Sequence, residues 1–415
     1  MSALGQVKYR NEPSLDEVVA HYPDFPKLIA LKIDVHRRGV HYTQRALANV
    51  DPEKHQIYGW NGSSFPHSLL LRDGTTLLVM PQTLEKDPYV VDFCDGAFWL
   101  LDQGEIVEEV DLWPKPRYYD KLTTSGLRMG DVVSARPQRL DLFVTSFCYF
   151  YHVDEQGCKF CSLPSLHKTL RAEHKLPTRL NPDDVRECFS EALKERGRFT
   201  NIHITGGTMV KGNDVGDLEV DYYIDILKAI GDNFEAKKFP SQLLATSYNE
   251  RQLAKLKENT GLSSFTADIE VFGEEKFNWI CPGKARWVGY KQWKDRLVRG
   301  VDVFGRGNIS TGIVGGVELA SPNGFTSEDE ALKSTLDEAE SLAEKGVTTV
   351  HIVWMPVTGS QFHDQKAPSL DYYIRLTRGL QDIRLRYGLN VDFDDYRRCG
   401  NHADSDLARL YYANR

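Results

Sequence analysis

The sequence predicts an α/β protein, an incomplete, open six-unit (β/α) barrel preceded by a smaller α+β domain. Three observations predict it. From about residue 140, apolar runs of strand length alternate six times with runs of helix length. Before residue 127 the apolar runs are instead joined by Asp-Gly pairs, which favour hairpins and antiparallel strands. No Gly-x-Gly-x-x-Gly turn opens the alternating region, so a barrel fits better than an open dinucleotide-binding sheet.

The first domain, residues 1–127, begins with a helical stretch at 14–20. One hairpin joins strands 68–71 and 75–79 through Asp73-Gly74, and a second joins 89–93 and 98–101 through Asp95-Gly96. The run Trp113-Pro-Lys-Pro-Arg117 reads as a boundary. The barrel core spans 137–395, and a last segment, 396–415, is placed to close its open face.

In the core, strand one ends near Ser146. Asn181 caps a helix whose first position is Pro182, where the missing N–H costs nothing. Strand two is 201–205, helix two 220–227, strand three 242–246 and helix three 250–256. Strand four is 264–272, and its helix falls between 288 and 303. Strand five is 309–314. Ser327 caps helix five, acids fill its first turn, and Gly346 stops it. Strand six is 349–354 and helix six 370–387. In such barrels chemistry sits at the C-terminal ends of the strands.

The chain has 415 residues, enough for a barrel and an added domain, and an ordinary globular composition with 27% charged residues. Its net charge of -8 argues against duplex nucleic acid or an anionic membrane as partner. No apolar run reaches signal-peptide or membrane-helix length. Seven cysteines, mostly far apart, do not suit a secreted disulfide framework, so a cytoplasmic location is expected.

Three of those cysteines lie together on the loop after strand one, Cys148, Cys158 and Cys161. Three thiolates on one loop can hold three corners of an iron–sulfur cube and leave the fourth iron open to an outside ligand. The alternatives are a zinc site completed by His152 or His167, or unrelated buried thiols. Phe160 stands beside the last cysteine, where it would shield a cluster and border a nucleoside, or serve as core. Cys94 and Cys188 read as structural, whereas Cys281 and Cys399 fall in polar loops. With no second Cys-x-x-Cys pair, a fully cysteine-ligated auxiliary cluster is not expected.

The constellation over 137–395 resembles the radical S-adenosylmethionine (radical SAM) superfamily. The usual spacing there is Cys-x3-Cys-x2-Cys. Here nine residues separate the first two cysteines, a width similar to that of the elongator catalytic subunit. The resemblance implies a 4Fe–4S cluster on Cys148, Cys158 and Cys161 that cleaves S-adenosylmethionine reductively. The resulting 5′-deoxyadenosyl radical takes hydrogen from a substrate, and a flavodoxin or ferredoxin supplies the electron.

Gly206-Gly207-Thr208 stands where the family commonly has Gly-Gly-Glu at the methionine end of the cofactor. Thr208 replaces the acid, which makes Glu270 the candidate for the amine. Thr311-Gly-Ile-Val-Gly-Gly-Val-Glu318 resembles the family's adenine-side motif. By that likeness Ile313 packs on the base, Gly315 makes room and Glu318 braces the turn. The stretch 355–360 resembles one in the biotin synthase-like branch.

Alternation along strand four puts Asp268 and Glu270 on one face, placed for cationic parts of cofactor or substrate. Cys399 is the candidate catalytic thiol, as hydrogen-atom donor, methyl acceptor or further metal ligand, with an inert thiol as the alternative. A small biosynthetic metabolite is the expected substrate. The alternatives are a tRNA or peptide read by the first domain, and a non-catalytic, zinc-stabilised binding protein.

Overall fold

The computed structural model describes residues 12–57, 65–136, 138–145, 147–153, 155–163, 176–389, 400–403 and 406–407. The chain opens with α1 (Leu15–Ala20), whose Ser14 and Glu17 form a capping box. Then come α2 (Lys27–Arg38), β1 (Val40–Tyr42) and α3 (Gln44–Ala48). The strands β2 (Ser68–Leu71) and β3 (Thr76–Leu78) form the first expected hairpin, and β4 (Tyr89–Cys94) and β5 (Ala97–Asp102) the second. With β6 (Glu105–Leu112) they build a six-stranded sheet in the order β1-β4-β5-β6-β2-β3. Cys94 closes β4 beside its turn and is exposed, so it is not the buried structural thiol expected. Cys188 is buried.

After α4 (Met129–Val132) the second sheet begins. Its strands are β7 (Ser134–Arg136), β8 (Arg139–Phe143), β9 (Asn201–Thr205), β10 (Ser241–Leu244), β11 (Ser264–Thr266), β12 (Ile309–Gly315) and β13 (Val347–Val353). They neighbour one another strictly in sequence order. The pairs from β8 to β13 are parallel, while β7 pairs antiparallel with β8 at the edge. Sequential order with a helix in each crossover makes an open, singly wound β/α half-barrel. Its helices are α5 (Pro182–Ala192), α6 (Asp217–Gly231), α7 (Glu250–Asn259), α8 (Glu274–Ile280), α9 (Pro282–Trp287), α10 (Tyr290–Phe304), α11 (Glu328–Glu344) and α12 (Leu370–Arg386). Every strand of β9 and β10 is buried nearly throughout, as a sheet covered on both faces requires.

Strand four is the one barrel strand that departs from expectation. It stops at Thr266 because the Thr311 hydroxyl intrudes on the ladder. That hydroxyl donates to the Ala267 carbonyl at 2.8 Å and accepts from the Ile269 N–H at 2.9 Å. The chain rejoins β12 only through a single bridge, Glu270 to Ile313. Glu270 itself has φ 71°, a left-handed conformation that a side-chain-bearing residue adopts at a cost. Strand alternation is therefore not what aims Asp268 and Glu270.

The two sheets are tied together. α2 packs on α12 and β13, and Arg37 donates to the Pro368 carbonyl at 3.1 Å. Residues 400–403 and 406–407 lie against β3, α2 and β13. The Leu78 N–H donates to the Gly400 carbonyl at 3.2 Å, and the His402 ring meets the His351 carbonyl at 2.9 Å. Lys32 and Asp406 form an ion pair with both side chains fully buried. Cys399 lies outside the described residues. Among the described residues no helix is long and apolar enough to cross a membrane.

Removing one partner of a buried ion pair strands the other charge in a low dielectric. Asp406→Ala is expected to cost about 3–5 kcal/mol in urea unfolding. The double variant Lys32→Met, Asp406→Leu, which leaves no orphan charge, recovers most of that loss.

A candidate active site at the cysteine loop

The long loop after β8 is held by backbone packing. A Cβ placed on Gly207 would lie 2.0 Å from the Phe147 carbonyl oxygen and 2.6 Å from the Cys148 Cα. The loop thus rests directly on the glycine turn that follows β9. The Tyr149 N–H donates to the Thr208 carbonyl at 2.9 Å, and Thr246 and Thr208 join hydroxyls at 3.0 Å. Gly207 is needed here for the close approach of the cysteine loop itself.

The far side of the loop rests on α8 and α9, two short helices that the sequence reading passed over. The Lys159 N–H donates to the Ile280 carbonyl at 2.9 Å, and the Gly283 N–H to the Gln156 carbonyl at 3.0 Å. A Cβ on Gly283 would come within 2.6 Å of both Gln156 and the Phe150 ring. The Tyr151 hydroxyl lies 3.2 Å from the carbonyl oxygens of both Cys158 and Cys161 and spans the turn between them. Cys281, expected in a polar loop, is fully buried between α8 and α9, with its thiol hydrogen-bonded to that of Cys158.

One pocket gathers the result. It is lined by Cys148, Cys158 and Cys161 together with Phe160, Gly206, Gly207, Thr208, Asp268, Glu270 and Lys284. Burial pushes the Cys148 thiol up to about 11 and the Cys161 thiol up to about 12. The hydrogen bond that the Cys158 thiol donates to Cys281, and then burial, raise Cys158 well above the usual thiol value. Such thiols become thiolates when a metal supplies the positive charge beside them. Among the described residues no three His, Cys, Asp or Glu side chains are gathered for a single ion. Thiolates of an iron–sulfur cube bind different irons and stand farther apart than the ligands of one zinc. His152 stacks on Phe147 with centroids 4.3 Å apart, and His167 lies outside the described residues.

Opposite the thiols sits a charge cluster with an unforeseen member, Lys284. Its ammonium donates to a Glu270 carboxylate oxygen at 2.7 Å and to the Asp268 carbonyl at 2.5 Å, and lies 4.8 Å from the Trp293 ring centroid. Asp268 accepts from the Gly312 N–H at 2.7 Å. Burial first, and then the charge of Glu270, raise the Asp268 carboxyl to about 7. Lys284 is pulled upward against its burial by Glu270 above all. A lysine on a helix after strand four carries no motif, so nothing in the sequence pointed to it.

The β12 motif is divided. Ile313 lines the interior cavity beside Glu270. The room left by Gly315 goes to Leu376 of α12, 2.7 Å from a would-be Cβ. Glu318 does brace its turn, accepting from the Gly316 N–H at 2.9 Å and from the Tyr372 hydroxyl.

Two outcomes follow from this geometry. Gly207→Ala forces the cysteine loop off its seat, so reconstituted iron is expected to fall below about half of wild type while the far-ultraviolet circular dichroism is retained. Deeper in the sheet, burial lowers His203 to about 4. A depressed folded-state value means stability that is full above about 6.5 and lost as pH falls toward 4. Urea unfolding of His203→Gln against wild type is expected to show about 3 kcal/mol less pH dependence across that window.

No family model matches the chain. Over 129 residues, 31% of this chain, the sequence is 26% identical to a bacteriochlorophyllide c C-7(1)-hydroxylase of Chlorobaculum limnaeum. The match spans 29% of that relative's length. A solved radical SAM methyltransferase from Sphaerobacter thermophilus aligns over 96% of this chain and 100% of its own, at 15% identity and a TM-score of 0.40. Methylornithine synthase aligns over 69% of this chain and 85% of its own, at 13% identity and a TM-score of 0.38. Both TM-scores lie below 0.5. What the structure itself brings together is the three cysteines and the glycine turn, in one pocket at the mouth of a singly wound β/α sheet.

Proposed function

We propose that Cys148, Cys158 and Cys161 hold a 4Fe–4S cluster, that S-adenosylmethionine binds beside it, and that the enzyme takes a hydrogen atom from a small metabolite. The observation that carries this reading is the single pocket shared by the three thiols, the glycine turn and the Asp268, Glu270 and Lys284 cluster. When bound, the cluster and S-adenosylmethionine supply reductive carbon–sulfur cleavage and a hydrogen-abstracting carbon radical.

The chain's own residues bind and shield. Glu270 and Lys284 present a carboxylate and an ammonium to the pocket, which complements the amine and carboxylate of a methionine group. Gly206, Gly207 and Thr208 offer backbone groups on the same wall. Phe160 and Ile313 supply apolar surface for the nucleoside end. Asp268, with a carboxyl near 7, is placed to carry a proton at neutral pH.

A small substrate is supported by the cavity that continues inward from the cysteine pocket. The two share Leu244, Asp268 and Glu270, and the inner one has a volume of about 180 Å³. That suits a metabolite better than a tRNA or protein. A flavodoxin or ferredoxin remains the proposed electron donor, and Cys399 the proposed further thiol.

The test is anaerobic turnover with dithionite and S-adenosylmethionine, followed by chromatography for 5′-deoxyadenosine. Wild type is expected to release it and Cys158→Ala to release none. Glu270→Gln is expected to weaken S-adenosylmethionine binding at least tenfold, about 1.4 kcal/mol. A protein that carries one zinc and releases no 5′-deoxyadenosine overturns the reading.

A further inference from the structure

Glu219 is a buried acid with no place in the chemistry above. It stands in the first turn of α6, where the helix dipole favours a negative charge, and is only 1% exposed. The start of that helix is fixed from α7. The Gln252 amide donates to the Val215 carbonyl at 3.1 Å and to the Asp217 carboxylate at 2.8 Å.

The partners of Glu219 are neutral donors. One carboxylate oxygen accepts from the Met209 N–H. The other accepts from the Tyr248 hydroxyl at 2.5 Å and from the Thr246 N–H at a longer 3.4 Å. Among the described residues no lysine, arginine or histidine pairs with it. Burial pushes the carboxyl up to about 7 in spite of its donors.

Both backbone donors belong to the wall of the cysteine pocket or adjoin it. Thr208 and Thr246 line that pocket, with their hydroxyls 3.0 Å apart, while Glu219 is no part of its lining. Glu219 thus grips, from behind, the N–H that follows Thr208 and the N–H of Thr246 itself. The Thr208–Met209 peptide is held at both ends, its N–H by Glu219 and its carbonyl by the Tyr149 N–H beside Cys148. A single carboxylate therefore sets the spacing of two hydroxyls that come from the ends of different strands, β9 and β10.

A buried carboxylate without a counter-charge is costly, and neutral acceptors would satisfy the same donors at lower cost. What the charge adds is stronger, charge-assisted bonds to the wall and an attraction for a cation in front of it. S-adenosylmethionine brings two positive groups, an ammonium and a sulfonium. Glutamine is a poor substitute at this position. Its amide nitrogen would face either the Met209 N–H or the Tyr248 and Thr246 donors, donor against donor.

We propose that Glu219 is a positioning residue for S-adenosylmethionine. It aligns the Thr208 and Thr246 hydroxyls for the methionine end of that molecule and offsets its positive charge from behind the wall, without touching it. The proposal rests on the radical reading above and adds to it a residue that acts through the pocket wall.

The test is calorimetric titration of the anaerobically reconstituted full chain with S-adenosylmethionine. Iron content and 5′-deoxyadenosine release are measured on the same preparations. Glu219→Gln is expected to keep its iron and to bind S-adenosylmethionine about tenfold more weakly, the cost of one unsatisfied buried donor. Its release rate is expected to fall at low S-adenosylmethionine and to recover largely at saturation, a split that a general loosening of the fold does not give. Tyr248→Phe, which removes one donor and keeps the ring, is expected to lie between this variant and wild type. Thr208→Val is expected to weaken binding as well. Combining it with Glu219→Gln is expected to cost clearly less than the product of the two single losses, because the acid acts through that hydroxyl.

Glu219→Gln and Tyr248→Phe binding S-adenosylmethionine as wild type does overturns the proposal. So does a full multiplication of losses in the double variant, or a Glu219→Gln protein that loses its iron together with its affinity. In each of these cases an iron-loaded, active wild type leaves the radical reading standing. A wild type that carries zinc and does not bind S-adenosylmethionine refutes the radical reading, and this proposal with it.

Discussion

The site depends on one steric constraint, the contact of the cysteine loop with two glycines. Gly207 lets the backbone at Phe147 and Cys148 lie where a side chain would otherwise stand, and Gly283 does the same for Gln156 and Phe150. A loop with nine residues between its first two cysteines would be a poor ligand platform if it were free, since ordering each residue costs about 1–2 kcal/mol. Two glycine seats, the Tyr151 hydroxyl across the turn and the hydrogen bonds to Ile280 and Thr208 fix it in advance. The short helices α8 and α9 supply the second seat for the long loop between Cys148 and Cys158.

Electrostatics organises the space beyond the loop. The interior holds an acidic pole near the thiols and a basic pole at Arg136 and Arg139, each with an internal counter-charge, Lys284 in one and Asp141 in the other. Neither pole is an isolated buried charge, which would be prohibitive. Each still presents ionic groups to a cavity wall. The raised Asp268 carboxyl follows from the same crowding, as burial and Glu270 together oppose its ionisation.

Much of this was legible in the sequence, because period and capping are local. The six parallel strands, the Asn181 and Ser327 caps and both Asp-Gly hairpins appear where pattern placed them. Three cysteines within fourteen positions marked the loop, and the structure brings them to one pocket. What escaped was set by tertiary contact. Strand four ends early because a threonine hydroxyl from the next strand enters its ladder. Lys284 and Cys281 gain their meaning from neighbours well separated in sequence, and no spacing rule marks them. Gly207 was singled out, but its cause is the cysteine loop above it.

The central claim is that three thiolates hold one cube with an iron left open to S-adenosylmethionine. The most direct measurement is electron paramagnetic resonance of the anaerobically reduced protein, with and without S-adenosylmethionine. The account predicts a one-electron-reduced 4Fe–4S signal that changes on addition of S-adenosylmethionine and is lost in Cys148→Ala. A signal indifferent to S-adenosylmethionine, or a colourless protein with zinc and no signal, would contradict it.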